Sequence, residues 1–215
     1  MAYNLNNKLV IAISSRALFD LEEENQIFEK DGLDAYYKYQ LENEDKSLKK
    51  GTGYRLVENI LKINSFFSSD ERQVEVIILS KNNAATSLRI TNAINDLKLD
   101  IIRSAWTSGT NISNYLKAFK VDLFLSADDN DVLNAIENGV AAAKILHSNE
   151  NIHNISNEQV RIAFDGDAVL FSEESELVYK NHGLEAFIEH EKENRNNPLE
   201  MGPFAKLLLT IAKIQ

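Results

Sequence analysis

The chain has 215 residues, a formal charge of −10, no cysteine and four histidines. That length holds one large domain or one and a half ordinary ones, and the missing cysteine excludes disulfides and thiolate metal sites. Without clusters of Lys and Arg, the acidic balance argues against a nucleic-acid partner.

The first fifteen residues carry no basic leader, and their apolar run is too short for a signal peptide or a membrane span. A soluble cytoplasmic protein with no membrane partner is expected. Leu9–Ile13 reads as a buried strand ending at Ser14-Ser15-Arg16. Residues 22–39 read as two acidic helices joined at Asp31-Gly32, with Ile27, Phe28, Leu33, Tyr36 and Tyr37 as the apolar positions. Residues 54–63 read as an amphipathic helix with Leu56, Ile60 and Ile63 on one stripe.

The nearly continuous apolar run at 74–79 suits a parallel strand covered on both faces, and it ends in Ser80-Lys81-Asn82. Helices are then expected at 84–97, 112–119 and 132–137, and strands at 101–105, 121–125 and 140–146. Strands alternating with helices at this spacing imply right-handed crossovers and a parallel α/β sheet. The polar, Asn-rich stretch at 148–159 reads as a linker.

The pattern then begins again. At a constant offset of 151 residues, the distance from Ser14 to Asp165, Ile11-Ala12 falls on Ile162-Ala163 and Glu22-Glu23 on Glu173-Glu174. Gly32-Leu33 falls on Gly183-Leu184, Gly51 on Gly202, and Lys62-Ile63 on Lys213-Ile214. One offset without insertion implies an internal duplication whose second copy is cut short.

Residues 160–172, VRIAFDGDAVLFS, read as a short apolar strand running into Asp165-Gly166-Asp167. Acids at such a strand end belong where an open α/β sheet presents groups to a ligand. Alternation would aim Asp165 and Asp167 to one side, with Gly166 easing the turn between them. A calcium loop does not fit, because Val169 and Leu170 stand where that loop needs an oxygen ligand and a turning glycine.

The string DGDAV after a hydrophobic strand resembles the first motif of the haloacid dehalogenase superfamily, DxDx[TV]. The longer RIAFDGDAVLFSEESE, with GLEAFIEHEKEN, PLEMGPF and the early VIAISSRALFDLEEEN, resembles the cytosolic type I 5'-nucleotidases within that superfamily. The resemblance implies a haloacid-dehalogenase-like parallel sheet with helices on both faces and a helical cap insert, followed by a partial second copy. Residues 1–147 would form a complete but catalytically degenerate unit, 148–159 the linker, and 160–215 the start of a second unit.

The implied activity is magnesium-dependent hydrolysis of a nucleoside 5'-monophosphate. Asp165 would be the nucleophile and Asp167 the general acid/base, both would hold Mg²⁺, and Phe171 would stack on the nucleoside from the cap. The family's phosphate-binding hydroxyl, its lysine and its late acidic pair would have to follow Gln215. In the first copy Ser80 and Lys117 occupy places like the first two, while Ser14 and Arg16 replace both acids and Ala127 the leading metal acid. Two other readings stay open: a site in which Ser80 and Lys117 serve Asp165, and a non-catalytic nucleotide-binding or assembly module. A homo-oligomer is expected in either case.

Overall fold

The computed structural model describes residues 4–147 and 159–214, apart from the side chains of Ser69, Asp167 and Ala168. The chain divides into two compact units, Met1–Val160 and Arg161–Gln215. All of the expected linker except Gln159 lies outside the described residues.

The first unit is built on five parallel strands: β1 (Leu9–Ile13), β4 (Val74–Ser80), β5 (Arg103–Trp106), β6 (Leu123–Ser126) and β7 (Ala142–Lys144). Their spatial order is β5-β4-β1-β6-β7. Register is set by Ile11 opposite both Val76 and Leu123, with Leu79 opposite Ala105 and Leu125 opposite Ala143. Every residue of β1 and β4 is buried, as expected of central strands with helices over both faces. Val10, Ala12, Ile77, Leu79 and Phe124 anchor a core that Leu116 and Ala135 close from the helical side.

Burial of β4 includes Glu75, whose carboxylate is wholly enclosed and met by Arg72 at 2.9 Å and Arg103 at 2.6 Å. An unpaired charge there would cost several kcal/mol, roughly 3–5 by analogy with broken buried pairs. The two guanidiniums make the position tenable.

The helices are α1 (Ser15–Leu18), α2 (Glu22–Glu42), α3 (Tyr54–Lys62), α4 (Leu88–Asp96), α5 (Ser113–Ala118) and α6 (Asp129–Glu137). Gly32 interrupts α2 at φ 84°, ψ −175°, so the break expected at Asp31-Gly32 is real. The apolar stripe expected on this helix is not what seats it. Phe28, Leu33 and Tyr37 are exposed, whereas Glu24 and Gln40 are buried. Glu24 pairs with Arg89 of α4 at 2.5 Å, and the Tyr36 hydroxyl donates to Asn82 at 2.8 Å. In α3 the buried face is Tyr54, Val57, Ile60 and Leu61 rather than a stripe through Leu56 and Ile63.

A two-residue ribbon, β2 (Phe19–Asp20) with β3 (Lys49–Lys50), ties the end of α1 to the start of α3. Gly51 and Gly53 follow it, and their amides donate to Leu18 and Ala17 at 2.9 Å each. A Cβ on Gly51 would stand 2.7 Å from the carbonyl carbon of Phe19, so only glycine fits.

Among its described residues the second unit holds two α-helices, α7 (Glu174–Asn194) and α8 (Ala205–Ile214). The strand expected at 160–164 is not formed. A strand exists by pairing with a neighbour, and the described part of this unit offers only the bridge between Phe171 and Met201. Gly183 breaks α7 at φ 83°, ψ −177°, nearly the angles of Gly32. Gly202 repeats the setting of Gly51: its amide donates to Leu170 at 2.9 Å, and a Cβ on it would stand 2.4 Å from the carbonyl oxygens of Val169 and Phe171.

Candidate active site

The two acids of the DGD sequence lead into a tight turn rather than crown a strand. Asp165 is extended (φ −71°, ψ 155°), and Gly166–Leu170 coils into one turn closed by the Phe171 amide on the Gly166 carbonyl at 3.0 Å. The Asp165 carboxylate is exposed and accepts the Gly166 amide at 2.7 Å. The Asp167 side chain lies outside the described residues.

Gly166 is not required by space or by angle. A Cβ there would meet only the Phe171 ring at 3.9 Å, and Gly166 is absent from the glycines of positive φ. The glycine that matters is remote in sequence. Gly202 lets residues 200–204 run against the turn, where Ser172 donates to Glu200 at 2.8 Å and Phe204 to Val169 at 3.0 Å. Phe204 also packs edge-on against Phe164, ring centres 6.3 Å apart. Three backbone hydrogen bonds and one ring contact therefore hold the acidic turn in shape. The sequence carried the signal for Gly202, since the offset of 151 lays it on Gly51.

Phe171 is 44% exposed, with its ring beside the Gly166 backbone. Tyr179 and Phe187 stack edge to face, 6.1 Å apart, on the outside of α7; neither is buried.

The position 151 residues before Asp165 lies at the carboxyl end of β1. Ser14 stands there with the same backbone angles as Asp165 (φ −72°, ψ 151°), and its hydroxyl accepts the amides of Ala17 at 3.3 Å and Ala127 at 3.4 Å. Ser80, at the end of β4, lies 3.1 Å from the Ser15 hydroxyl and accepts the Asn82 amide at 3.3 Å. Lys81 pairs with Asp131 at 2.6 Å. These hydroxyls are engaged with neighbouring strand ends, and no carboxylate stands where Ser14 or Arg16 does.

Lys117 does not join Ser80. It sits in the last turn of α5, which runs back from the carboxyl ends of the strands, and its ammonium donates to Asn138 beyond α6 at 3.4 Å. Lys81 was not singled out by sequence, yet it is the lysine placed beside Ser80.

Among the described residues no group of three or more His, Asp or Glu could hold a metal ion. Asp165 supplies a hard, exposed carboxylate of the kind magnesium takes one or two of, the remaining places being filled by water and phosphate oxygens. The residues present fit that limited demand. Among them, too, no helix is long and apolar enough to cross a membrane.

Comparison with known proteins decides the family. The family model described as 5'-nucleotidase matches residues 1–215. The chain belongs to the 5'-nucleotidase family. Human cytosolic 5'-nucleotidase 1B is 34% identical over 213 residues, which is 97% of this chain and 35% of that protein. The chain thus spans about a third of the length of this 5'-nucleotidase relative. No solved structure matches it.

Proposed function

We propose that this chain carries the nucleophile of a magnesium-dependent 5'-nucleotidase acting on nucleoside 5'-monophosphates. Membership of the 5'-nucleotidase family supports the reaction class. The observation that carries the assignment of residues is the exposed Asp165 carboxylate on a turn fixed from behind by Gly202 and flanked by Phe171.

On this reading a carboxylate oxygen of Asp165 attacks phosphorus, the P–O bond to the nucleoside breaks, and Asp167 gives its proton to the departing 5'-oxygen. Asp167 then takes a proton from water as that water displaces Asp165 from phosphorus, so Asp165 returns unchanged. Mg²⁺ held by Asp165 and Asp167 would supply neutralising charge for the phosphoryl oxygens. Phe171 would cover the nucleoside side of the cleft, with α7 as the cap.

The equal offsets of Gly32 with Gly183 and Gly51 with Gly202 support reading the second unit as a partial copy of the first. The first unit would then be a copy without its nucleophile. A cytoplasmic location and a homo-oligomer belong to the same proposal; exposed Leu177, Leu184 and Leu209 on the second unit would suit assembly, which light scattering tests.

The deciding experiment is Asp165→Asn in the protein extended past Gln215, with phosphate release from a nucleoside 5'-monophosphate measured in Mg²⁺. Loss on the order of 10³-fold or more, with the circular dichroism spectrum kept, is expected. Retained turnover would remove Asp165 from this role.

A further inference from the structure

The first unit carries a cavity of about 590 Å³ at the carboxyl ends of β1, β6 and β7. Chain order places it well. From β1 the chain goes to β4 and β5 on one side of the sheet, then crosses to β6 and β7 on the other, so the crevice between β1 and β6 is the topological switch point. Ligands of open α/β sheets bind at that point.

The chemistry of this crevice is inverted relative to the acidic turn. Ser14 and Arg16 stand at the offset positions of Asp165 and Asp167, so two negative charges are replaced by one positive charge. Arg16, Lys144 and His147 all line the cavity, and Ala127 lines it from the end of β6.

Two carboxylates, Asp20 and Glu22, also line it. The hold of Glu22 on Arg16 is weak. Arg16 meets Glu22 only at 3.5 Å, with both side chains more than a third exposed, and such pairs contribute about 0–1 kcal/mol. Lys144 meets Asp129 at 2.7 Å, again in solvent. A phosphate taking two parallel hydrogen bonds from the Arg16 guanidinium would displace Glu22 at little cost. Leu21 and Leu146 give the cavity an apolar side, and its volume is in the range of small-molecule sites, roughly 300–1,000 Å³.

We propose that this cavity binds a nucleoside monophosphate without turning it over, the phosphate on Arg16 and Lys144 and the nucleoside against Leu21 and Leu146. The site is built from residues of the first unit and does not depend on the role of Asp165. It is a ligand site in a unit that keeps the crevice of a phosphatase and lacks an attacking carboxylate.

The test is calorimetric titration of a nucleoside monophosphate into the full chain carrying Asp165→Asn, with chelator present. Catalysis and metal-assisted binding at the acidic turn are thereby removed. Saturable binding is expected, weakened at least tenfold by Arg16→Ala and by Ala127→Asp, and weakened less by Arg16→Lys, which keeps the charge and loses the paired hydrogen bonds. Ala127→Asp leaves Arg16 and its contacts in place, so it still reports if Arg16→Ala fails to fold. Inorganic phosphate should compete, at an affinity at least tenfold lower. No saturable binding, binding that neither Arg16→Ala nor Ala127→Asp moves, or inorganic phosphate binding as tightly as the nucleotide would each overturn the proposal. None of these outcomes bears on whether Asp165 is a nucleophile.

Discussion

Replacing Gly202 with alanine tests whether residues 200–204 hold the acidic turn. The added methyl would stand 2.4 Å from two carbonyl oxygens and 2.9 Å from the Leu170 carbonyl carbon, against ordinary contacts of about 3.5–4.0 Å. These are main-chain atoms and cannot rotate away. Residues 200–204 must withdraw by about 1 Å, which breaks the bonds of Gly202 to Leu170 and Phe204 to Val169. Two lost hydrogen bonds at about 1 kcal/mol each, with about 1–3 kcal/mol of overpacking, give roughly 3–5 kcal/mol.

Because the chain has two units, a global melting curve would blur this effect. Amide hydrogen exchange read by mass spectrometry isolates it: protection at Ser172, Gly202 and Phe204 should fall by about 10²- to 4 × 10³-fold. Two controls sharpen the test. Gly166→Ala, inside the acidic motif, should change little, since its Cβ meets only the Phe171 ring at 3.9 Å. Gly183→Ala has open space but φ 83°, so it should cost about 1–3 kcal/mol, confined to α7. Exchange at the three amides within twofold of the parent after Gly202→Ala, or no protection there in the parent, would refute the reasoning.

Arg89→Ala leaves Glu24 buried without its guanidinium and should cost about 3–5 kcal/mol, measured as a drop in the urea midpoint of the first unit. Tyr54 gives a pH prediction. Burial first, and the Glu58 carboxylate second, push its hydroxyl up to about 12 from 10.0. The unfolded chain therefore releases this proton before the folded one does, so stability is intact below pH 10 and declines as pH rises toward 12. Tyr54→Phe should flatten that decline in denaturant titrations; an unchanged slope would refute it.

The central strands were legible because burial on both faces writes an uninterrupted apolar run, as at 9–13 and 74–79. The edge strands were legible only in part. β5 begins at Arg103, leaving Ile102 exposed, and β7 narrows to three residues, because an edge is defined by its partner's register more than by its own hydropathy. The break at Gly32 could be read, but not the seating of α2, since Glu24 finds Arg89 through contacts 65 residues apart. The ribbon of β2 with β3 has two residues a strand and no periodicity to detect.

At the candidate site, the motif singles out the two acids, but their setting on a turn could not be read from it. Reading 160–164 as a strand assumed neighbours that the second unit does not present among its described residues. Lys117 looked well placed along the chain, but helix direction carries it to the far end of the sheet, and Lys81 holds the near end instead.

The Ser14 hydroxyl bridges the ends of β1 and β6 by accepting amides from Ala17 and Ala127. A carboxylate in that position would have to balance such architectural duty against attack on a substrate. Backbone rather than reactivity shapes the hollow beside it, so the hollow would outlast the loss of an attacking group. The few side chains around its mouth decide what it can hold.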